Sequence, residues 1–312
     1  MGKKRVAFLL RGLPGLGHVM PGISVAEALR EKDYECYILT YGNGIKIAKS
    51  LKFKVFDIKQ PKSTPWKNTL EATLDVLPIL KRIKPNLIFV DGELDSVFLL
   101  KGLGYKIALC TTKHYIDRDF PPYSKYSMYM DSLLNYVDLV IVHGIQSPNK
   151  INEKINFVGP LVRKCFEKEE KEKDSVAICY GFENTKKFKI MEKKIGEIGK
   201  KYGLKIIYLG KKNKDFQKDN SILLRARVIV CDGGISTISE ALVMGIPLLF
   251  IQVDDLEKSK NMEIAKNLGF GELIEDGKMD DTFKKVLNMK VKNIKNGLEK
   301  TLELLFALMN QK

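Results

Sequence analysis

Residues 228–247 read VIVCDGGISTISEALVMGIP, and this stretch contains the pattern on which the rest of the chain is built. Residues 228–231 form a continuous apolar run, which predicts a buried parallel strand. Residues 232–234 break that run with an aspartate and two glycines, and a helical period of apolar residues follows from about Ser236. A glycine turn before a helix start predicts an anion site, because the backbone can approach closely and unpaired N–H groups point outward. Glu240, one turn into the helix, could accept hydrogen bonds from a ribose diol.

Strands and helices alternate on both sides of this stretch, which predicts α/β architecture with parallel, doubly wound sheets. Residues 156–160, followed by a charged run at 168–174, predict a hinge. We therefore expect two Rossmann-like domains, 1–160 and 161–312, facing a shared cleft, with a helix over 280–309 packing back toward the first domain. The predicted strands are 5–10, 34–40, 54–58, 86–91, 106–111, 138–143, 176–180, 205–209, 228–231 and 248–251; the main predicted helices of the first half are 20–31, 69–83 and 96–103.

The composition of the 312 residues, 45% hydrophobic and 29% charged, is that of a soluble globular protein. The first residues lead directly into a strand without the apolar segment of a signal peptide, which predicts a cytoplasmic protein. The five cysteines contain no CxxC pair and are expected to be reduced core thiols. The net charge of +15 comes mostly from lysines spread over both halves. This pattern argues against a nucleic-acid partner and suits anionic substrates or an anionic membrane surface, although a lysine-rich proteome explains it equally well.

Four stretches in order resemble the MurG-like GT-B glycosyltransferases, which use nucleotide-sugar donors. They are Gly15-Leu16-Gly17-His18 with Pro21, the VGPLVR run at 158–163, residues 228–247, and Asn261 with Gly269 eight residues later. The resemblance implies the GT-B fold. It also implies inverting transfer of N-acetylglucosamine or a related hexose from a UDP-sugar to an acceptor. On this interpretation the UDP-sugar is a co-substrate, and no metal or other cofactor is required.

His18 and Asp91 are the predicted catalytic residues. Imidazole suits the removal of a hydroxyl proton near neutral pH. The resemblance to GT-B transferases of the plant type implies that Asp91, at the end of the fourth strand, orients the ring and stabilises its charged form. Glu93 is the fallback for that second role. Alternatively, the first loop is an ordinary glycine-rich turn with an incidental histidine, and Asp91-Gly92 is a simple turn.

Acceptor-side residues are expected on the loops of the first domain. Gly15 and Gly17 would leave room for the acceptor sugar. His114 follows the next strand and is a further acceptor-binding candidate, although an exposed loop histidine is the simpler interpretation.

The donor-side residues follow from the resemblance, although an ordinary N-capped helix and a solvated loop are the plain alternative. The turn and helix start would hold the diphosphate, Glu240 the ribose, and Glu257 with Lys258 the donor sugar. The full set is Arg163, Gly181, Gly233, Gly234, Ile235, Ser236, Thr237, Glu240, Glu257, Lys258 and Asn261.

Three features depart from the family pattern. Asp232 stands where relatives carry His or Arg, and would repel phosphate unless Arg163, Lys186, Lys187 or a divalent ion compensates. Lys258 replaces a glutamine of the relatives, which suggests an unusual donor sugar such as one bearing a carboxylate. The GFEN turn that contains Gly181 is bulkier than the corresponding glycine-rich loop.

Two segments of the first half combine aromatic residues, methionines and lysines. They surround Trp66 and span 120–136. They predict a loop packed on the core or a surface that binds a partner. Alternatively, they predict a membrane-interface patch that meets a lipid-linked acceptor at the inner face of the plasma membrane.

Two rival functions remain open for the chain as a whole: a nucleotide-sugar hydrolase and a non-catalytic nucleotide-sugar-binding or scaffold protein. Pro21 favours the transferases, because the hydrolases often carry arginine at that place.

Overall fold

The computed structural model describes residues 3–13, 15–60, 69–118, 127–149, 152–168, 170, 172–179, 186–210, 220–275 and 277–311. The chain divides into two compact units. The first contains Met1–Arg163 together with Gly297–Lys312, and the second contains Lys164–Asn296. Each unit is built on one parallel sheet, which confirms the predicted α/β class.

The first unit has a seven-stranded parallel sheet of order β3-β2-β1-β4-β5-β6-β7. Its strands are β1 (Arg5–Leu10), β2 (Glu35–Thr40), β3 (Lys54–Asp57), β4 (Leu87–Asp91), β5 (Ile107–Thr112), β6 (Leu139–His143) and β7 (Ile155–Gly159). Its helices are α1 (Val19–Glu31), α2 (Asn43–Ser50), α3 (Thr69–Ile83), α4 (Val97–Gly102), α5 (Lys113–Asp117), α6 (Ser127–Tyr136) and α11 (Leu298–Asn310). The chain reverses direction across the sheet between β1 and β4, so the carboxyl ends of these neighbours form the switch point where ligands of such sheets bind.

Helices cover both faces of this sheet, which explains why its strands read as nearly continuous apolar runs. Every residue of β4 is buried. One apolar core lies beneath α1 and α11, and the other beneath α3, α4 and α6. The last helix belongs to this unit because Leu298, Leu302, Leu305 and Leu308 are buried in the α1 core.

The second unit has a five-stranded parallel sheet of order β12-β11-β10-β8-β9. Its strands are β8 (Ser175–Cys179), β9 (Lys205–Leu209), β10 (Ala226–Cys231), β11 (Leu248–Phe250) and β12 (Gly271–Leu273). Its helices are α7 (Lys186–Lys201), α8 (Ile235–Val243), α9 (Leu256–Asn267) and α10 (Met279–Leu287). The switch point here lies between β8 and β10, so the turn after β10 occupies the ligand-binding edge.

Two predictions about chain organisation need correction. Residues 156–160 are not a hinge, because Ile155–Gly159 forms β7, which pairs with β6 in the first sheet. The predicted helix over 280–309 is two helices, α10 and α11, and they belong to different units. The short elements α2, α5 and β12 were missed. Among the described residues, no helix combines the length and apolar composition needed to cross a bilayer.

Candidate active site

His18 and Asp91 form a hydrogen-bonded pair at the carboxyl edge of the first sheet. His18 Nδ1 lies 2.7 Å from Asp91 Oδ1. The aspartate side chain is 1% exposed and the histidine side chain 31% exposed, so a buried carboxylate supports a ring that solvent or a substrate can reach. An Nδ1–H that donates to Oδ1 fixes the ring tautomer, and the carboxylate stabilises the imidazolium form. The structure thus brings together the two residues predicted to form the catalytic pair.

Strand register and one glycine produce this contact. Leu10, the last residue of β1, pairs with Asp91, the last residue of β4, so the loop after β1 passes beside the aspartate. Gly92 follows with φ +76°, and a Cβ there would lie 2.8 Å from His18 Cγ. Glycine at position 92 therefore allows both the left-handed backbone and the close approach of the ring.

Two more carboxylates lie buried beyond Asp91. Glu93 accepts a hydrogen bond of 2.5 Å from the Tyr41 hydroxyl, and burial raises its pKa although that bond and Arg11 oppose the rise. Burial, followed by the charge of Glu93, raises the pKa of Asp95 to about 7. Asp95 was missed by sequence reasoning; its signal was the third acidic residue in the run DGELD. The charge of His18 also lowers the pKa of Glu93, so Glu93 is near the ring, while Asp91 is the carboxylate hydrogen-bonded to His18 Nδ1.

His143 and Cys110 lie on the other side of Asp91 and were also missed as site residues. Both are buried. Burial lowers the pKa of His143, while the charge of Asp91 opposes the shift. Burial raises the pKa of the Cys110 thiol well above its ordinary value, and Asp91 adds to the rise. The sequence signal for His143 was its position at the end of an apolar strand, the same kind of position that Asp91 has.

The predicted donor turn has the geometry of an anion site. Gly234 is the N-cap residue of α8 and has extended backbone. Ser236, Thr237 and Glu240 are half-buried, whereas Ile238 and Ser239 are buried against the core. The spacing places these three polar residues on one side of the helix. The first two turns of α8 therefore offer N–H groups, two hydroxyls and one carboxylate on a partly accessible face.

The same turn is fixed to α9. Lys258 Nζ lies 2.8 Å from Asp232 Oδ2, with the lysine side chain 18% and the aspartate side chain 6% exposed. Asn261 Nδ2 donates to the Gly233 carbonyl oxygen at 3.2 Å. Gly233 has φ +88°, and a Cβ there would lie 2.5 Å from the Lys258 carbonyl oxygen. Lys258 therefore compensates the Asp232 charge, a role for which the sequence suggested Arg163, Lys186, Lys187 or a divalent ion.

The other predicted site residues are placed as follows. Arg163 makes a two-pronged ion pair with Glu27 of the first unit, with Nε–Oε2 2.7 Å and Nη2–Oε1 2.9 Å. His114 is buried in α5, so the interpretation as an exposed loop residue is wrong.

Gly15 is half-buried, and Gly17 is exposed, with nothing within 4 Å of the position that a Cβ would take. Glu257 is half-buried in the first turn of α9. Gly181 and the side chains of Lys186 and Lys187 lie outside the described residues.

A scan against models of protein families and a search of curated protein sequences found no match to this chain. Solved structures do resemble it. The glycosyltransferase SsfS6 of Streptomyces sp. SF2575, in complex with thymidine diphosphate, has a TM-score of 0.63 at 13% identity, covering 98% of this chain and 95% of that chain. MurG of Acinetobacter baumannii has a TM-score of 0.65 at 14% identity, covering 97% and 99%.

The spinosyn rhamnosyltransferase SpnG is similar to the same extent, with a TM-score of 0.63 at 15% identity and coverage of 98% of this chain and 95% of that chain. The similarity extends over nearly the whole length in each case. The chain therefore has the GT-B fold that these glycosyltransferases share.

Proposed function

We propose that the protein is an inverting glycosyltransferase that moves a sugar from a pyrimidine nucleoside diphosphate, UDP in the first instance, to a hydroxyl acceptor. The observation that carries the proposal is the 2.7 Å contact between His18 Nδ1 and Asp91 Oδ1. A half-accessible imidazole held by a buried carboxylate at a sheet switch point is an arrangement suited to a general base. The GT-B fold supports the same class of reaction.

The chemistry requires one proton transfer and one displacement. The acceptor hydroxyl oxygen forms a bond to the anomeric carbon as the bond from that carbon to the diphosphate oxygen breaks. The hydroxyl proton moves to His18 Nε2, because Nδ1 is engaged by Asp91. Asp91 stabilises the resulting imidazolium. Attack opposite the leaving group inverts the anomeric configuration.

The second unit is proposed to hold the donor. Its glycine turn and the first N–H groups of α8 would bind the diphosphate and stabilise the charge that develops on departure. Because Lys258 is paired with Asp232, it offers no uncompensated charge to a carboxylate-bearing sugar. We therefore propose a neutral donor sugar, N-acetylglucosamine or a related hexose, with Ser236, Thr237, Glu240 and Glu257 as contacts. We leave Arg163 out of the donor site because its guanidinium is held by Glu27.

Glu240→Ala is expected to weaken UDP binding by about 1–3 kcal/mol, because ribose hydroxyls would lose their acceptor in a partly desolvated site. Isothermal titration with UDP measures the change. Glu263→Ala is the matched control, since Glu263 is exposed on α9 of the same unit and forms a surface ion pair with Lys260. Equal UDP affinity in Glu240→Ala and the unmodified protein would contradict a donor site at this turn.

The preference of the donor site for one nucleotide base can be measured by comparing two nucleoside diphosphates. Two similar solved structures, SsfS6 and SpnG, are complexes with thymidine diphosphate. Titrations should therefore include UDP and thymidine diphosphate side by side. The same panel, followed by assays of nucleotide release, separates the rival functions. Binding without turnover supports a sensor or scaffold, release without any acceptor supports a hydrolase, and acceptor-dependent release supports the transferase.

The acceptor is proposed to be lipid-linked, at the cytoplasmic face of a membrane. The segment around Trp66 and the first part of the segment at 120–136, up to residue 126, lie outside the described residues; its remainder forms α6. The helices beside them nevertheless carry exposed apolar side chains: Leu70 and Leu74 one turn apart on α3, and Met128 on α6. In the sequence, lysines precede both helices, and apolar side chains combined with lysines suit an anionic lipid surface.

Co-sedimentation with vesicles tests this placement. Binding to anionic vesicles should exceed binding to neutral ones and fall as salt is raised, because exposed charges are screened. A Leu70→Ser, Leu74→Ser double variant should bind less. Leu256→Ser, which removes an exposed leucine from the second unit, should not change binding. Equal partition to neutral and anionic vesicles, or none to either, would count against a membrane-bound acceptor.

A further inference from the structure

Three buried side chains of different chemistry meet behind the His18–Asp91 pair. They are Asp91 at the end of β4, Cys110 on β5 and His143 at the end of β6. Their ligand atoms, a carboxylate oxygen, a thiol sulfur and an imidazole nitrogen, all lie within 4.8 Å of one another. These residues are at most 3% exposed. The mechanism proposed above assigns no role to Cys110 or His143.

Sheet register accounts for the meeting. Asp91 and Cys110 are direct partners in the pairing of β4 with β5. Cys110 is in turn the partner of Ile141 on β6, and His143 lies two residues beyond Ile141. Since side chains alternate along a strand, all three point to the same face. The cluster therefore stands on three adjacent strands of the core, which is a rigid support for a set of ligands.

The carboxylate has spare binding capacity in this direction. His18 occupies Asp91 Oδ1. Within the part of the chain that the structure describes, Oδ2 has no hydrogen bond of normal geometry. The Cys110 thiol does act on the carboxylate as a hydrogen-bond donor, which is one cause of its raised pKa. A thiol is a weak donor, so a buried carboxylate oxygen with only this partner can still accept a stronger ligand such as an ion.

We infer that Asp91, Cys110 and His143 form a binding site for one divalent transition ion of the Zn²⁺ type. The donor set of oxygen, sulfur and nitrogen is the mixture that Zn²⁺ accepts, whereas Mg²⁺ and Ca²⁺ prefer oxygen alone. Tetrahedral bonds of about 2.0–2.3 Å place ligand atoms about 3.5 Å apart, so the cluster needs to contract by only about 1 Å. With a thiolate and a carboxylate, a divalent ion makes the site neutral overall.

Ion binding involves one proton. The Cys110 thiol loses its proton to the solvent as sulfur bonds to the ion, and His143 contributes a nitrogen lone pair without changing its charge. Asp91 contributes Oδ2 and loses electron density to the ion. Resting on the function proposed above, this predicts that the bound ion slows turnover, because Asp91 then stabilises the His18 imidazolium less. The site is thus inhibitory to the transferase.

Titration of the full-length, metal-free protein with Co²⁺ tests the site directly. Bonding of Cys110 to Co²⁺ should produce a thiolate charge-transfer band in the near ultraviolet that saturates at one ion per chain and disappears when Zn²⁺ is added. Cys110→Ser should bind the ion at least tenfold more weakly and lack the band. Cys36→Ser, which alters another buried thiol of the same unit, should keep it. Absence of the band in the unmodified protein, or its survival in Cys110→Ser, would overturn the site.

His143→Asn provides a second variant that leaves the thiol in place. It should also weaken Co²⁺ binding at least tenfold, and an unchanged affinity in a folded His143→Asn variant would overturn the site. Nucleotide release should be slowed by equimolar Zn²⁺ in the unmodified protein and restored by a chelator, while Cys110→Ser should be insensitive. Equal inhibition of both proteins would overturn the link to Asp91. Absence of nucleotide release under all conditions would refute the proposed function and leave the absorbance test of the ion site intact.

Discussion

Replacing His18 with alanine is expected to lower turnover by about 10²–10⁴-fold, the usual effect of losing a general base. Affinity for the nucleotide sugar should not change, because the proposed donor contacts belong to the second unit. Nucleotide release measures turnover, and isothermal titration measures affinity. His18→Gln is the matched control, since its amide can still donate to Asp91 but cannot accept the proton. It should be as slow as alanine. Near-normal turnover in either variant would transfer the role of base to another group, with Glu93, Asp95 and His114 as the next candidates.

Lys258→Met is expected to lower the free energy of unfolding of the second unit by about 3 kcal/mol, because it leaves the Asp232 carboxylate buried without its partner. UDP binding should weaken as well, since an uncompensated negative charge would then stand in the donor turn. Urea denaturation and isothermal titration measure the two effects. Lys260→Met is the control: its pair with Glu263 is solvent-exposed on the same helix and should contribute little.

The double variant Asp232→Asn, Lys258→Met distinguishes a pair from two independent residues. Removing both charges leaves no buried ion, so most of the stability and UDP affinity lost in Lys258→Met should return. Losses that simply add would show that the two residues act separately. The result decides whether Asp232 and Lys258, which both depart from the family pattern, act together as one ion pair whose charges compensate each other.

The features that the sequence predicted best have a local physical cause. The apolar runs of β1, β4 and β10 predicted buried parallel strands, and both sheets contain them. The glycine turn and helix start at 232–243 could be placed from residue type alone. His18 and Asp91 were paired by the resemblance to GT-B transferases, and the structure gives the physical cause, because parallel strands bring their carboxyl ends to one edge of the sheet.

The features that the sequence missed depend on partners far along the chain. Residues 155–159 resembled a linker because a short edge strand next to Gly159-Pro160 has little periodicity of its own; pairing with β6 makes it a strand. Lys258 could not be matched to Asp232 without the position of α9 beside the turn. In the sequence, Cys110 and His143 look like ordinary core residues of apolar strands. Only the pairing of β4, β5 and β6 shows that they lie beside Asp91. The charge of Arg163 suits a phosphate group, but its guanidinium forms an ion pair with Glu27.

The most direct test of the central claim is a double-mutant cycle between His18 and Asp91, read as the rate of acceptor-dependent nucleotide release. His18→Ala and Asp91→Asn should each be slow. Because the aspartate acts only through the histidine, adding Asp91→Asn to His18→Ala should change the rate little further. Rates of the two single variants that multiply in the double variant would contradict the pair as the catalytic base of this protein.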